Sequence, residues 1–140
     1  MSFRSTLSAV ALVGAMAVPT TFALPTAPAF AEGDPEAGSR IYRQCQACHI
    51  IEAEQNRVGP HLVKIINRPI AEVEGFRYSP VYLERREEGK VWNEENLAGY
   101  LANPREYMPG NRMAFAGLRN PQQIDDVIAY LRETGGVWEE

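Results

Sequence analysis

The chain has 140 residues, of which 14 are basic and 18 acidic, so its formal net charge is −4 at pH 7. This length is enough for one domain and too short for two. A net negative charge argues against nucleic acid as a partner, because binding to phosphates needs a basic face. The composition therefore predicts a single small domain that does not bind DNA or RNA.

The first 31 residues differ in composition from the rest of the chain. One charge, Arg4, precedes an apolar run over residues 9–18, and the segment ends with Ala-Phe-Ala at residues 29–31. A basic start, a short apolar run and an A-x-A site are typical of a secretory signal peptide. The alternative, an uncleaved membrane anchor, needs about 20 apolar residues. Pro19 closes this run at about half that length.

We therefore expect residues 1–31 to be a signal peptide that is cleaved after Ala31, with Ala23 as a weaker earlier site. Residues 32–140 would form an exported, periplasmic domain without stable membrane insertion, and we expect it to be a monomer. No acidic residue lies in the signal segment, so the remaining domain has a net charge of about −5. A domain this small has a modest core and gains stability from a buried cofactor.

Helix signals follow in chain order. Three main helices are predicted, from Asp34-Pro35 into the cysteine pair, over residues 94–103 after Asn93, and from Asn120-Pro121 to Gly135-Gly136. The last has its apolar residues at i, i+3, i+4 and i+7, as an amphipathic helix requires. A short helix is predicted over residues 81–88, after Ser79-Pro80 and before Gly89. No apolar alternation is long enough for a sheet, so the sequence predicts an all-α domain.

The sequence CQACH at residues 45–49 contains both cysteines of the chain. A disulfide between Cys45 and Cys48 would close a very small loop and so stabilise little. A thioredoxin-like redox pair needs a βαβ context, which the neighbouring sequence does not indicate. A zinc site could add His49 and His61 to the two thiolates, but the usual second C-x-x-C or H-x₃₋₅-H pair is absent.

Covalent haem accounts for every residue of this motif. In C-x-x-C-H the two thiols attach the haem and the histidine ligates its iron. Residues i and i+3 of a helical turn project to one side, so Cys45 and Cys48 can meet two adjacent substituents on one porphyrin edge. The motif therefore predicts one haem c, bound through two thioether bonds, with His49 as an axial ligand of the iron.

The second axial ligand is less certain from spacing alone. The soft or imidazole candidates are His61, Met108 and Met113. His61 follows His49 by only twelve residues and would have to pass around the porphyrin edge. Met108 precedes a proline, which restricts it to extended geometry, whereas Met113 follows a turn at residues 109–111 that can present one side chain inward. Spacing favours Met113 modestly, and plain core filling is the alternative for either methionine.

With these motifs in hand, the chain from Gly33 to Gly135 resembles the class I c-type cytochromes of mitochondria and the bacterial periplasm. The similar segments are GDPEAGSRIYRQCQACH, VGPHL, NPREYMPGNRMAFAGL and IDDVIAYLRE. The resemblance implies the small all-α cytochrome c fold around the haem, with Gly38 and Tyr42 packed against the last helix. It also implies that Met113 is the sixth ligand.

The resemblance also implies roles for residues near the two axial ligands and at the haem edge. The carbonyl of Pro60 would accept a hydrogen bond from the second ring nitrogen of His49 and fix its tautomer. Tyr100 would lie near the sulfur of Met113, with a plain core position in its helix as the alternative. Phe115 would shield the exposed haem edge.

The resemblance also assigns Arg68, Tyr78 and Trp92 to the buried haem propionate, whose charge they would offset. For Arg68 the alternative is a solvated surface arginine. Between Tyr78 and Trp92 the chain has three more residues than the mitochondrial form, within the segment PVYLERREEGK. This difference makes the placement of Trp92 less certain.

The charged surface departs from the mitochondrial pattern as well. The chain has only two lysines, Lys64 and Lys90, where the mitochondrial form docks through a ring of lysines. A smaller cationic ring could be formed by Arg40, Arg43, Arg112 and Arg119. We expect redox proteins to dock transiently at the haem edge.

Two axial ligands leave no open iron position, so we expect a soluble periplasmic one-electron carrier rather than an enzyme. It would shuttle electrons between a respiratory or photosynthetic donor and an oxidase or other acceptor. One alternative is a dedicated electron-accepting subunit or partner of a periplasmic dehydrogenase, for which PVYLERREEGK is the candidate contact. A haem enzyme such as a peroxidase is disfavoured, because only His61 could serve as a distal acid–base group.

Overall fold

The structure is a computed structural model that describes residue 1 and residues 32–139. The predicted signal segment lies almost wholly outside the described residues, so its cleavage after Ala31 stays a prediction. Within the described part of the chain, no helix has the length and apolar character that a bilayer crossing needs.

The described residues form five helices and no strand. The helices are α1 (Pro35–Tyr42), α2 (Pro80–Glu87), α3 (Glu94–Ala102), α4 (Pro104–Tyr107) and α5 (Pro121–Gly135). Two isolated β-bridges pair residues outside the helices, Ile66 with Val137 and Pro69 with Val91. The predicted all-α class and the predicted order of helices are confirmed.

Three of the helix starts are capped by the side chains that the sequence indicates. The carboxylate of Asp34 accepts hydrogen bonds from the backbone of Glu36 and Ala37, and Asn93 and Asn120 accept from backbone amides at the starts of α3 and α5. Each cap satisfies amide groups that the first helical turn leaves unpaired. These local signals are enough to place α1, α3 and α5.

Two features of the helices differ from the prediction by more than one residue. Helix α1 ends at Tyr42 instead of running into the cysteines, because three- and four-residue turns mix there: the amides of Cys45 and Gln46 both donate to the carbonyl of Tyr42. The short helix α4 was not predicted. Its signal is Asn103-Pro104, in which the Asn103 side chain accepts from the backbone of Glu106, the same pattern as Asp34-Pro35.

The core is one cluster of buried side chains. It includes Tyr42, Ile51, Ile65, Ile66, Ile70, Trp92, Leu97, Tyr100, Met108, Leu118, Ile124, Val127, Ile128 and Leu131. These residues come from α1, α3 and α5, from the long loop between α1 and α2, and from the segments before α3 and after α4. The loop therefore depends on apolar packing rather than on a sheet for its shape.

Helices α1 and α5 cross in close backbone contact. A Cβ atom at Gly38 would lie 2.0 Å from the carbonyl oxygen of Asp126, and the rings of Tyr42 and Tyr130 pack with centroids 5.2 Å apart. The buried carboxylate of Asp126 also accepts from the backbone of Asp34 and the side chain of Gln122, both at 2.9 Å. The predicted packing of Gly38 and Tyr42 against the last helix is confirmed.

We expect Gly38→Ala to lower the free energy of unfolding by about 1–3 kcal/mol, because overpacking a tight contact forces the two helices apart. The loss should appear although alanine is the better helix former. Urea unfolding of the haem-loaded protein measures it.

Ser39→Ala is the matched control for Gly38→Ala. The Ser39 hydroxyl bonds only within α1, to the carbonyl of Glu36, so its removal should change the free energy of unfolding by no more than about 0.5 kcal/mol. A Gly38→Ala protein as stable as the wild type would contradict the close crossing.

Candidate functional site

The CQACH motif forms a helical turn directly after α1. The amide of Cys48 donates to the carbonyl of Cys45 at 3.0 Å, and the amide of His49 donates to the same carbonyl at 3.0 Å. Both thiols are free and half-buried, and burial, followed by the neighbouring Cys48, raises the pKa of Cys45 to about 11. The i and i+3 cysteines therefore stand one turn apart, with free thiols available for bond formation.

The imidazole of His49 is oriented by the loop that follows it. Its Nδ1 lies 2.7 Å from the carbonyl oxygen of Pro60. A carbonyl can only accept, so Nδ1 carries the proton and Nε2 keeps a free lone pair. Burial lowers the pKa of His49, the Pro60 carbonyl opposes this and Arg68 adds to it, which favours the neutral ring that a metal ligand needs.

Gly59 makes this orientation possible. A Cβ atom at position 59 would lie 2.2 Å from Cε1 of His49, so the backbone of residue 59 runs directly along the ring. The amide of Gly59 also donates to the carbonyl of Cys48 at 2.9 Å. The loop is thereby closed onto the cysteine turn and holds the imidazole from one side.

The two candidate methionines have different surroundings. Met108 is fully buried in the core cluster, with no exposed surface. Met113 is half-buried, and its sulfur accepts a hydrogen bond from the Tyr100 hydroxyl at 3.6 Å. The Met113 amide donates to the side-chain oxygen of Asn111 at 3.0 Å, and this bond holds the turn before Met113. Met108 fills the core, and Met113 has its sulfur in a polar contact at the core boundary.

Tyr82 of α2 is a neighbour of this methionine that the sequence did not reveal. Its hydroxyl lies 2.5 Å from the hydroxyl of Tyr100, and the two rings pack edge to face. Burial raises the pKa of both tyrosines, so both hydroxyl groups stay protonated at neutral pH. No local pattern pairs residues 18 positions apart, which is why only the tertiary structure identifies Tyr82.

Arg68 is a buried cation. It is 3% exposed, and its guanidinium donates to the carbonyls of Val63 and His61 at 2.8 and 3.0 Å. Backbone bonds join it to Trp92, whose amide donates to the Arg68 carbonyl at 2.8 Å. Burial lowers the pKa of Arg68, and Tyr78 opposes the shift. The predicted residues Arg68, Tyr78 and Trp92 are thus neighbours, and the solvated alternative for Arg68 is wrong.

Among the residues described, two buried side-chain atoms lack a hydrogen-bond partner, Oγ of Ser79 and Nδ1 of His61. Ser79 follows Tyr78 directly, and the carbonyl of His61 receives a bond from Arg68. Ser79 precedes α2 but its side chain makes no cap bond. Its place before Pro80 indicated only a helix start, so its role as a buried donor was missed.

The outer rim of the site carries Phe115 and several arginines. Phe115 is half-buried and packs against the core cluster. Of the predicted cationic ring, Arg40 pairs with Glu36 at 2.9 Å, and Arg112 donates to the carbonyl of Arg77 at 3.2 Å. Ion pairing offsets the charge of Arg40, so it adds less to a cationic surface than the sequence suggested.

The alternative readings of the cysteines find no support in the described residues. Cys45 and Cys48 are both free. In the same part of the chain, no three side chains of His, Cys, Asp or Glu come together as a metal site requires. A zinc site that uses His49 and His61 beside the thiols therefore has no assembled ligand set.

The chain is similar in sequence and in structure to known proteins. The family model described as cytochrome c matches residues 35–135. A cytochrome c2 of Afifella marina is 45% identical over 97 residues, which cover 69% of this chain and 78% of that protein. A cytochrome c-550 of Ancylobacter novellus is 46% identical over 99 residues, covering 70% and 92%. The solved structure of cytochrome cH from Methylobacterium extorquens has a TM-score of 0.65 at 34% identity, covering 72% and 99%.

The side chains of this site fit a covalently bound haem. Two free thiols and one unprotonated imidazole nitrogen stand on one turn. Arg68 is a buried cation for which the described residues supply no carboxylate within ion-pair distance. A buried charge needs a counterion, and the buried Oγ of Ser79 needs an acceptor. A haem carboxylate would satisfy both.

Replacing Ser79 with alanine tests this fit. If its hydroxyl donates to a haem carboxylate, Ser79→Ala should lower the free energy of unfolding of the haem-loaded protein by about 1.5–3 kcal/mol, the range for hydrogen bonds to charged groups. Denaturant titration that follows haem absorbance gives the value.

A surface serine provides the control. The Oγ of Ser39 donates within α1 to the carbonyl of Glu36, so Ser39→Ala should change stability by no more than about 0.5 kcal/mol. Equal stabilities for Ser79→Ala and wild type would show that no haem carboxylate uses this hydroxyl.

Proposed function

The chain belongs to the cytochrome c family and carries one covalently bound haem c, and from this premise we propose that it is a periplasmic one-electron carrier. Its relatives are electron carriers, so the chain is one too and is not an enzyme. The proposal adds the ligands of the iron, His49 and Met113, and the exported location.

The single observation that carries the ligand proposal is the fixed tautomer of His49. Its Nδ1–H bond to Pro60 at 2.7 Å leaves Nε2 free, one residue after the thiols that would hold the haem. Second-shell carbonyls of this kind orient a ligating histidine and raise its basicity. Met113, the proposed second ligand, is half-buried and its sulfur accepts a hydrogen bond from Tyr100. With both residues as ligands, no position would remain for oxygen, peroxide or substrate.

When bound, the haem supplies a one-electron ferric/ferrous couple. The thioether of Met113 favours the ferrous state and raises the potential above that of a bis-histidine site. Arg68 and Ser79 would neutralise and bind a buried haem carboxylate, and the apolar core keeps water out. The electron would come from one redox protein and pass to another, with no bond formed or broken in this chain.

Transient docking at the rim around Phe115 would complete the cycle. Arg112 lies next to the ligand loop and is held by the Arg77 carbonyl, and Arg43 and Arg119 are exposed. Cations at a rim raise the rate of encounter with acidic partners more than they raise affinity, which suits a carrier that must release its partner quickly.

The ligand assignment predicts a spectral difference between the two methionines. Met113→Ala should abolish the ferric band at the red end of the visible spectrum that reports sulfur bound to haem iron. Met108→Ala should keep that band and instead lower the free energy of unfolding by about 2–5 kcal/mol, as truncation in a packed core does. Loss of the band in Met108→Ala alone would refute the assignment.

The exported location predicts a defined N-terminus. After expression in a bacterium that attaches haem c, protein from the periplasmic fraction should begin at Glu32. Ala31→Phe should leave the precursor uncleaved, because the cleavage site requires a small residue. Ala23→Phe is the matched control and should be processed normally. Mass spectrometry distinguishes these products, and a mature chain that begins at Leu24 would contradict the proposed site.

A further inference from the structure

A chain of hydrogen bonds runs from α2 to the proposed axial sulfur. The Tyr82 and Tyr100 hydroxyls are 2.5 Å apart, and the Tyr100 hydroxyl is 3.6 Å from the sulfur of Met113. A thioether sulfur carries no proton, so Tyr100 must donate to it. Because the hydroxyl of Tyr100 has only one proton to donate, and donates it to the sulfur, Tyr82 must donate to the Tyr100 oxygen. The direction of the chain is therefore fixed as Tyr82 to Tyr100 to Met113.

Packing holds both tyrosines in this arrangement. The ring of Tyr82 lies between those of Tyr78 and Tyr100, with centroids 5.6 and 6.4 Å away. Tyr100 also packs on Trp92 at 5.0 Å and on Tyr107 at 6.2 Å. Neither hydroxyl can turn away without moving a ring in this cluster, so the two bonds belong to a preorganised unit.

Hydrogen bonds in series strengthen one another, because a hydroxyl that accepts a bond becomes a better donor. The bond from Tyr82 therefore strengthens the donation from Tyr100 to the Met113 sulfur. This donation withdraws electron density from the sulfur lone pairs. A ferric iron needs that density more than a ferrous iron does, so the ferrous state gains relative to the ferric state.

We propose that Tyr82 is a positioning residue that raises the reduction potential of the haem by acting through Tyr100 on Met113. The inference rests on the proposed ligation by Met113. It also assigns a role to the segment between Tyr78 and Trp92, which the electron-carrier function alone leaves without one. Helix α2 has no fully buried residue, and Tyr82 is the side chain through which it would reach the redox centre.

The test is a set of midpoint potentials measured on the haem-loaded protein. Tyr82→Phe and Tyr100→Phe each remove one hydroxyl and keep the ring. Both should lower the potential, and Tyr82→Phe should lower it less, because it only weakens the bond to sulfur. In the double variant the potential should equal that of Tyr100→Phe, since Tyr82 has no other route to Met113.

Tyr107→Phe is the matched control. Tyr107 packs on the same Tyr100 ring, but its hydroxyl donates to Asn96 at 2.8 Å, away from the sulfur. The midpoint potential of Tyr107→Phe should match that of the wild type. The ferric band at the red end of the spectrum should shift in Tyr82→Phe and stay in place in Tyr107→Phe, a readout that a purely structural role would not produce.

Two results would overturn the proposal. One is a Tyr82→Phe potential equal to that of the wild type, and the other is a double variant whose shift is the sum of the two single shifts. If Met113→Ala loses the red band while Tyr82→Phe leaves the potential and the band unchanged, the proposed role of Tyr82 is wrong and the ligand assignment stands. If Met113→Ala keeps the band, both proposals fail.

Discussion

The close crossing of α1 and α5 is the constraint on which the rest of the site depends. Backbone approaches backbone at Gly38, and Asp126 joins the start of α1 to α5 through its buried carboxylate. At the other end of α5, a Cβ at Gly135 would lie 3.0 Å from both the side chain of Ile51 and the carbonyl of Leu62. Helix α5 thus packs at one end on α1, which leads into the cysteine turn, and at the other on the loop that follows that turn.

The opposite side of the site depends on aromatic packing. Phe76, Tyr78, Tyr82, Tyr100 and Tyr107 form an unbroken series of ring contacts with centroids 4.8–6.4 Å apart. Edge and tilted contacts of this kind restrict ring orientation as well as excluding water. The series joins α2 to α3 and α4. Within it, the ring of Tyr100 places its hydroxyl at the sulfur of Met113, and the ring of Tyr82 places its hydroxyl at that of Tyr100.

Polar groups near the cysteine turn have two roles. The carbonyl of Pro60 and the close backbone of Gly59 orient His49, while burial favours its neutral form. In the loop after His49, Arg68 is a buried cation that bonds only to backbone carbonyls among the described residues, and the buried hydroxyl of Ser79 has no hydrogen-bond partner there. Burying such groups in an apolar core costs free energy of desolvation, which a bound group with complementary charge and hydrogen-bond acceptors would offset. The free-energy cost of burying Arg68 and Ser79 without haem is consistent with a domain that reaches its full stability only when haem is bound.

The sequence by itself determined the helical class, the capped starts of α1, α3 and α5, and the cysteine turn, because caps and i, i+3 spacing act over a few residues. It left Met108 and Met113 nearly equal until a family resemblance was added. Tertiary structure decided that Met108 is enclosed in the core, that Arg68 is buried beside Trp92, and that Tyr82 reaches Tyr100. These facts join residues far apart in the chain, and only the packing of the helices brings them into contact.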